Sequence, residues 1–322
     1  MPLAATGNTV ANGFSGDKFV GSYTDGSGNS HGFIKSGTNY ITLDDPAASI
    51  GTYPNGGTYP TGISGNTVVG SFIHNGNFRQ GFIYDTTSGT YQTENDPNGT
   101  WGTTFNGVSG NFVVGSNAHP PSGIGDNGII YNISDATYTY FNDPQGAGGQ
   151  STIGTGISGN TVVGYYEDVS GAVHGFIYNL QSSTYTNVDA PLAGSGKDTR
   201  IEGVFGNTIV GYYVDNSNRS HGFVESGGVY STLDVPGATH TYAWGTDGNK
   251  VSGYFQDGTG YHGFVATPNA GVNIALYAGY AGVTINGVVG YTYGVQTSTN
   301  LANTNSWVGV TNITLSLSLI HI

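Results

Sequence analysis

The sequence lacks cysteine entirely and contains only seven lysines and arginines among 322 residues. Without cysteine the fold can have neither a disulfide framework nor thiolate chemistry. The few basic residues are scattered, whereas recognition of phosphate groups requires clusters of them. We therefore expect no nucleic acid partner. The net charge of −13 also argues against an anionic membrane surface and favours cations or neutral sugars as ligands.

Long hydrophobic runs are absent as well. No apolar run approaches the roughly 18 residues that a membrane span requires, and the polar, glycine-rich start does not resemble a signal peptide. Charged residues are 8% of the chain and glycines number 56, a combination that disfavours helices because glycine costs about 1 kcal/mol in a helix interior. The 23 tyrosines and 14 phenylalanines supply apolar area that a disordered chain lacks.

A repeat unit of under fifty residues occurs six times, and three markers recur in constant order. The first marker resembles Gly-Asn-Thr-Val-Val-Gly, the second is Gly-Phe, and the third is an aspartate one or two residues before a proline. Such a period is typical of repeat architectures. The last glycine of the first marker lies at Gly21, Gly70, Gly115, Gly164, Gly211 and Gly253.

Each unit is predicted to form four short strands. In the fourth copy the first strand ends at Ser158, and a Gly-Asn turn leads into a second strand over 161–166. The third and fourth strands are predicted over 174–178 and 184–188. Four antiparallel strands in 40–50 residues are typical of a propeller blade. We predict an all-β protein, a β-propeller of about six four-stranded blades; a β-solenoid and a pair of sandwiches are the alternatives.

The repeats occupy residues 1–268, and a partial β-module resembling an incomplete sandwich is predicted over 269–316. A fourth strand for the sixth copy would have to come from 272–277. The start of the chain resembles residues 191–193, so the sequence is predicted to begin inside a longer array. Residues 317–322 resemble the translation of a sequencing-library transposon adapter, and we expect them to have no biological role.

The repeat resembles the bacterial extracellular HAF family, whose unit combines His-Gly-Phe, a glycine turn and Asp-x-Pro-Gly. These elements appear here as His221-Gly222-Phe223, Gly227-Gly228 and Asp234-Val235-Pro236-Gly237, followed by the Gly253 marker. The third copy departs from the pattern with Asn127-Gly128-Ile129. The resemblance implies secretion and no defined activity, and the tail is similar to small C-terminal β-modules of secreted bacterial proteins.

Antiparallel blades place alternate turns on opposite faces. The turns after the second strands and the loops between blades share one face, which we call the loop face. It carries the Asp-x-Pro acids and the longest loops, where binding usually occurs. We predict a secreted or cell-surface binding or scaffold module, monomeric, whose acidic loop face recognises a polysaccharide or a surface protein. A purely structural surface repeat is an alternative.

An aspartate and a histidine flank the same turn in four copies. Oxygen ligands suit Ca²⁺, so calcium is a possible cofactor and no other is expected. The alternatives are a hydrogen bond that fixes the hairpin and an Asx turn that caps the loop. The candidate calcium ligands are Asp25, Asp168, Asp215 and Asp257, and the adjacent histidines are His31, His174, His221 and His262.

Aromatic residues near the first strands are candidates for stacking on sugar rings, because first strands line the channel of a propeller. Packing between blades is the alternative role. A dense charge cluster over 197–202 adds a candidate cation. The predicted ligand-binding residues are Tyr59, Trp101, Arg200, Tyr242 and Trp244.

Glu202 in the same cluster is the candidate catalytic residue, as one half of a glycosidase carboxylate pair. Its second carboxylate is not identifiable from the sequence, and no nucleophile elbow, zincin motif or P-loop is present. We therefore expect a binding protein rather than an enzyme, with a propeller glycoside hydrolase or lyase as the alternative.

Overall fold

The computed structural model describes residues 4–51, 56–74, 78–99, 101–118, 126–147, 151–196 and 198–267, together with five strands at 271–277, 280–286, 292–297, 308–314 and 319–321. Within these ranges all regular secondary structure is β-strand. The chain divides into two units, one formed by Met1–Glu225 with Tyr230–Ala266, the other by Ser226–Val229 with Thr267–Ile322.

The first unit contains 23 strands, which form six antiparallel groups in chain order. We call these groups blades one to six. The strands are β1 (Ala4–Ser15), β2 (Lys18–Asp25), β3 (Ser30–Ser36) and β4 (Asn39–Leu43) in blade one; β5 (Thr58–Ser64), β6 (Thr67–His74), β7 (Phe78–Asp85) and β8 (Thr90–Glu94) in blade two; β9 (Gly102–Ser109), β10 (Phe112–Ala118), β11 (Asn127–Asn132) and β12 (Thr137–Phe141) in blade three; β13 (Thr152–Ser158), β14 (Thr161–Glu167), β15 (Val173–Asn179) and β16 (Thr184–Val188) in blade four; β17 (Thr199–Phe205), β18 (Thr208–Val214), β19 (Ser220–Ser226) and β20 (Val229–Leu233) in blade five; and β21 (His240–Thr246), β22 (Val251–Asp257) and β23 (Gly260–Ala266) in blade six.

The blades join through short parallel contacts between the third strand of one blade and the start of the next. Ser30 pairs with Gly57 at the first junction and Arg79 with Gly102 at the second. The contact of Asn8 in β1 with Tyr261 in β23 has the same form, so blade six meets blade one as the other blades meet each other. The ring of blades closes. The all-β fold and the predicted β-propeller are therefore confirmed.

The hydrophobic core lies between neighbouring blades. One cluster joins Ile34 and Leu43 of blade one to Val68 and Phe82 of blade two. Phe82 comes from the Gly-Phe marker, and its ring lies over the repeat glycine Gly70, its cross-strand partner. A Cβ at Gly70 would lie 2.7 Å from that ring, so the two markers depend on each other. Burying one such phenylalanine contributes about 1.5–3 kcal/mol.

The acids of the third marker occupy two positions, although the sequence analysis treated them as one. Asp45 is buried, and its backbone amide donates to the Thr58 hydroxyl at 2.8 Å. The carboxylates of Asp189 and Asp234 instead form hydrogen bonds with the Nδ1 atoms of His174 and His221 on the third strands. The positions differ because the aspartate directly precedes the proline in the buried class, whereas in the other class one residue separates the aspartate from the proline. The buried class also contains Asp96 and Asp143.

Blade six has three strands within the described part of the chain. The segment considered for its fourth strand forms β24 (Gly271–Tyr277), which pairs with β25 (Tyr280–Asn286) in a separate sheet. That assignment was therefore wrong. Tyr261 and Val265 on β23 are exposed.

The second unit consists of two small sheets. Strands β24 and β25 form one sheet with β28 (Leu319–His321), and β26 (Thr292–Thr297) pairs with β27 (Val308–Thr314) in the other. Strands β24 to β27 fall within residues 269–316, where the sequence predicts the β-module. β28 lies inside residues 317–322, and the expectation that this tail is foreign stays a prediction. Trp307, inside the predicted module, lies outside the described residues.

Candidate ligand-binding channel

A β-bulge occurs at the same point in every first strand. In blade five, for example, Ile201 pairs with Gly211 and Gly203 with Val210, which leaves Glu202 as the extra residue. A bulge re-aims a side chain, and here all six bulged residues line one cavity inside the ring. We call them the bulge ring: Asn12, Thr61, Asn106, Thr155, Glu202 and Trp244.

A glycine follows each bulge and lets the first strands of neighbouring blades touch. A Cβ at Gly62 would lie 3.0 Å from the Cα of Gly107, and a Cβ at Gly107 would lie 3.0 Å from the Cα of Gly156. Backbone contact this close excludes a side chain. The first strands therefore enclose a narrow channel, and the side chains of the bulge ring line it.

Hydrogen bonds tie the bulge ring across four blade junctions. In each case the bulged side chain donates to the carbonyl that precedes the next blade's bulge, at 2.7–2.8 Å. The donor is an amide or a hydroxyl, both neutral groups. The pairs are Asn12 to Pro60, Thr61 to Phe105, Asn106 to Gly154, and Thr155 to Ile201.

The residue after the repeat glycine differs between two halves of the ring. In blades one to three this residue is serine, and in blades four to six it is tyrosine; among the six, Tyr165 and Tyr212 line the cavity. We call blades one to three the polar half and blades four to six the aromatic half. The serines are Ser22, Ser71 and Ser116, and the tyrosines are Tyr165, Tyr212 and Tyr254.

The tyrosines of the aromatic half join other rings. Tyr242 stacks on Tyr254 with centroids 4.6 Å apart and contacts Tyr212 edge-on at 4.9 Å. Trp244 lies 5.9 Å from Tyr254. The sequence analysis selected Tyr242 and Trp244 but missed the three tyrosines, although the serine-to-tyrosine change after the repeat glycine was visible in the sequence.

A cavity of about 170 Å³ lies on the loop-face side of the bulge ring. First strands begin at the loop face, so residues that precede the bulges lie between the ring and that face. Arg200 and Ile153 are such residues and line the cavity with the bulge ring, Tyr165 and Tyr212.

Arg200 and Glu202 are the residues with an acidic or basic side chain among those that line the cavity. The Arg200 guanidinium lies 4.4 Å from the centre of the Tyr165 ring, a cation–π contact, and 3.5 Å from Asp198. Glu202 is 8% exposed. Burial raises the pKa of Glu202 to about 8, against the opposing field of Arg200. Burial therefore favours the neutral, protonated form of Glu202.

Two other predicted ligand residues lie elsewhere. Tyr59 occupies in blade two the position that Arg200 occupies in blade five, and the Arg79 guanidinium lies 5.0 Å from its ring centre. Trp101 precedes β9 and is 47% exposed; it is not among the residues that line the cavity. The structure thus brings together Arg200, Glu202 and Trp244, with Tyr242 packed behind them.

The candidate calcium ligands accept hydrogen bonds from their own turns. The Asp25 carboxylate accepts the backbone N–H groups of Ser27 and Asn29, at 2.8 and 2.9 Å. The hydrogen bonds from Asn29 contribute most to lowering the pKa of Asp25 to about 2. Asp168, Asp215 and Asp257 accept backbone N–H groups in the same way.

Three of the four histidines, His31, His174 and His221, each lie between two carboxylates on the loop face. His31 places Nδ1 2.9 Å from Asp44 and Nε2 3.3 Å from Asp25. Burial is the largest single effect on its pKa and lowers it, but the hydrogen bonds to both acids hold the pKa above its ordinary value. Among the described residues no group of three or more His, Cys, Asp or Glu is arranged to hold a metal ion. Calcium binding stays a prediction.

Comparison with known proteins shows the fold alone. No protein-family model matches the chain, and no curated protein does. A triple arginine-to-alanine mutant of AofleA from Arthrobotrys oligospora aligns over 82% of this chain and 84% of its own, with a TM-score of 0.51 and 12% identity. The resemblance to the HAF family stays a prediction.

Two further solved structures are similar at lower scores. The Aleuria aurantia lectin, described as a six-bladed β-propeller with a novel fucose recognition mode, aligns over 98% of both chains with a TM-score of 0.47 and 11% identity. TolB from Acinetobacter baumannii has a TM-score of 0.48 and 12% identity over 78% of this chain; the present chain covers 65% of TolB, just under two thirds of its length. In the part of the chain that the structure describes, no helix has the length and apolar character of a membrane span.

Proposed function

We propose that the chain is a secreted or cell-surface binding module that holds part of a neutral glycan in the loop-face cavity of its channel. The single observation that carries the proposal is the lining of the cavity, which combines aromatic rings with neutral amide and hydroxyl groups: Tyr165, Tyr212 and Trp244 with Asn12, Thr61, Asn106 and Thr155. Aromatic rings cover the apolar faces of sugars, and serine, threonine and asparagine groups bind their hydroxyls.

The charge distribution supports a neutral ligand. The chain carries a net charge of −13, so an anionic polysaccharide would be repelled. Inside, the cation Arg200 is held between the Tyr165 ring and Asp198. A neutral glycan requires no further charge compensation.

Glycoside hydrolysis is less well supported. Hydrolases of the common type use two carboxyl groups about 5–10 Å apart. Among the described residues that line the cavity, Glu202 is the one carboxyl group. The hydrolase or lyase alternative would require turnover that disappears in Glu202→Gln.

The test is retention of the protein on insoluble neutral and acidic polysaccharides and on an oligosaccharide array, with and without calcium. We expect a neutral glycan to be retained by the wild type, and Trp244→Ala to lose at least tenfold in affinity. Trp101→Ala is the matched control, since Trp101 is exposed and outside the cavity lining.

Three results would contradict the proposal. The first is no retention on any saccharide under either condition. The second is loss of binding in Trp101→Ala with full binding in Trp244→Ala, which would place the site on the loops. The third is that Trp244→Ala and Trp101→Ala both change the stability of the protein while no ligand is found, which is the result expected for a purely structural repeat.

A further inference from the structure

Blade five breaks the rule that governs the bulge ring in blades one to four. There the bulged side chain is a neutral donor that reaches the carbonyl preceding the next bulge, as Thr155 reaches Ile201 at 2.7 Å. The equivalent residue in blade five is Glu202, and the equivalent carbonyl in blade six is that of Ala243. An ionised carboxylate accepts hydrogen bonds and cannot donate one to a carbonyl.

The backbones at this junction meet as closely as elsewhere in the ring. A Cβ at Gly203 would lie 2.6 Å from the Trp244 carbonyl oxygen and 3.1 Å from the Cα of Gly245. The space between Glu202 and blade six is therefore comparable to that between Thr155 and blade five. A side chain that could not donate a hydrogen bond here would leave this junction without the side-chain hydrogen bond that is present at the other junctions.

The junction of blades six and one is bridged in a different way. Trp244 occupies the bulge, and the Ser252 hydroxyl donates to the Asn12 carbonyl at 2.9 Å. Among the described residues, five junctions thus have a side-chain donor at the level of the bulge ring. The junction of blades five and six can have one if Glu202 carries a proton.

The groups that face Glu202 do not compensate a full negative charge. From its own strand, Arg200 faces it, but that guanidinium also serves Asp198 and the Tyr165 ring. The other titratable groups around it are the tyrosine hydroxyls of the aromatic half, which carry no charge at neutral pH. With 8% of its surface exposed, an ionised Glu202 would have little water.

We infer that Glu202 is held as a neutral carboxylic acid that donates a hydrogen bond across the junction of blades five and six, and that its ionisation loosens this junction and places a negative charge in the channel. Glu202 is thus a positioning residue of the ring and a pH-sensitive element of the channel. The inference concerns the site of the proposed function but does not require that a glycan binds there.

The direct test follows the carboxyl carbons of the free protein by NMR after selective labelling of glutamate. The chain has four glutamates, Glu94, Glu167, Glu202 and Glu225, so four signals are expected. We expect one signal to titrate near pH 8 and that signal to be missing in Glu202→Gln.

The Glu202→Gln variant also provides the structural control, because glutamine has the same shape and donates at every pH. We expect it to fold, to be at least as stable as the wild type at pH 8.5, and to keep the channel neutral. Titration of the Glu202 signal below about pH 5, or a Glu202→Gln variant less stable than the wild type throughout pH 6–9, would overturn the inference in favour of an ion pair with Arg200.

Measurements of glycan affinity at different pH values test this inference separately from the proposed function. If a neutral glycan binds, we expect its affinity for the wild type to fall several-fold between pH 7 and pH 9, and its affinity for Glu202→Gln to stay constant over that range. Absence of any glycan binding would contradict the proposed function and leave the NMR result to decide on Glu202. A glycan affinity that falls equally in both proteins would contradict the role of Glu202 in the channel.

Discussion

The polar half and the aromatic half of the channel share one backbone and differ in a few side chains. Ser71 in blade two and Tyr212 in blade five follow the same repeat glycine and pair with the same position of the first strand. The strands around them have the same bulge and the same interblade contacts. The comparison shows that the repeat provides the frame, and that departures from the repeat provide the site.

The largest effect should come from damage to the frame, and it should be equal in both halves. Phe82 of blade two and Phe176 of blade four are both fully buried and both lie against a repeat glycine. We expect Phe82→Ala and Phe176→Ala each to lower the free energy of unfolding by about 3–5 kcal/mol, measured by denaturant unfolding. A difference above about 2 kcal/mol between the two would show that the halves do not share one frame.

The second-largest effect should be a pH dependence of the free energy of unfolding that comes from Glu202 in the aromatic half. The folded-state pKa of Glu202, about 8, lies above its ordinary value of 4.5, so its contribution to stability is complete below the ordinary value. That contribution decreases as pH rises toward 8, by at most about 1.4 kcal/mol per pH unit. We expect the wild type to lose stability relative to Glu202→Gln over this range in denaturant titrations.

A matched variant in the polar half provides the control for this pH effect. Asn106→Asp places an acid in the bulge of blade three, where the wild-type amide donates to Gly154. We expect this variant to become less stable than the wild type as pH rises, because the new acid must stay protonated to donate. A pH-independent loss would show that the bulge side chain does not need a proton there.

The third effect should appear in binding rather than in stability. Tyr212→Ser gives blade five the residue of the polar half, and we expect it to weaken glycan binding about tenfold, or about 1.4 kcal/mol. Tyr40→Ser is the control, since Tyr40 lies exposed on the outermost strand of blade one. Equal affinities of the two variants, measured by calorimetry, would count against a site in the aromatic half.

The smallest effect should again be common to both halves. Thr61→Val and Thr155→Val remove the interblade hydrogen bonds from blades two and four. We expect each to lower the free energy of unfolding by about 1 kcal/mol, measured by denaturant unfolding. A loss in Thr155→Val alone would show that the ring is held unequally around the channel.

Much of the fold could be predicted because its signals are local. The Gly-Asn turn, the alternating second strand and the Gly-Phe marker each specify backbone or packing within one repeat. Gly159, for example, has a φ of 57° in a two-residue turn, a conformation that glycine adopts without strain. The order of these signals was enough to predict the blades.

The site was less predictable because it depends on register. A bulge adds one residue to a strand, and nothing in the sequence around Glu202 or Trp244 marks that residue as the one re-aimed into the channel. For this reason the two residues were assigned to different hypotheses, catalysis and stacking, although they are equivalent positions in neighbouring blades. Trp101 was grouped with Trp244 by its place before a first strand, yet it lies in a loop.

The most direct test of the channel as the binding site uses Trp244 as its own reporter. The chain has three tryptophans, so the double substitution Trp101→Phe and Trp307→Phe leaves fluorescence from Trp244 alone. Titration with the neutral oligosaccharides that the wild type retains should give a saturable change in Trp244 emission, with the affinity of the wild type. Binding of those oligosaccharides without any change in Trp244 emission would contradict the account.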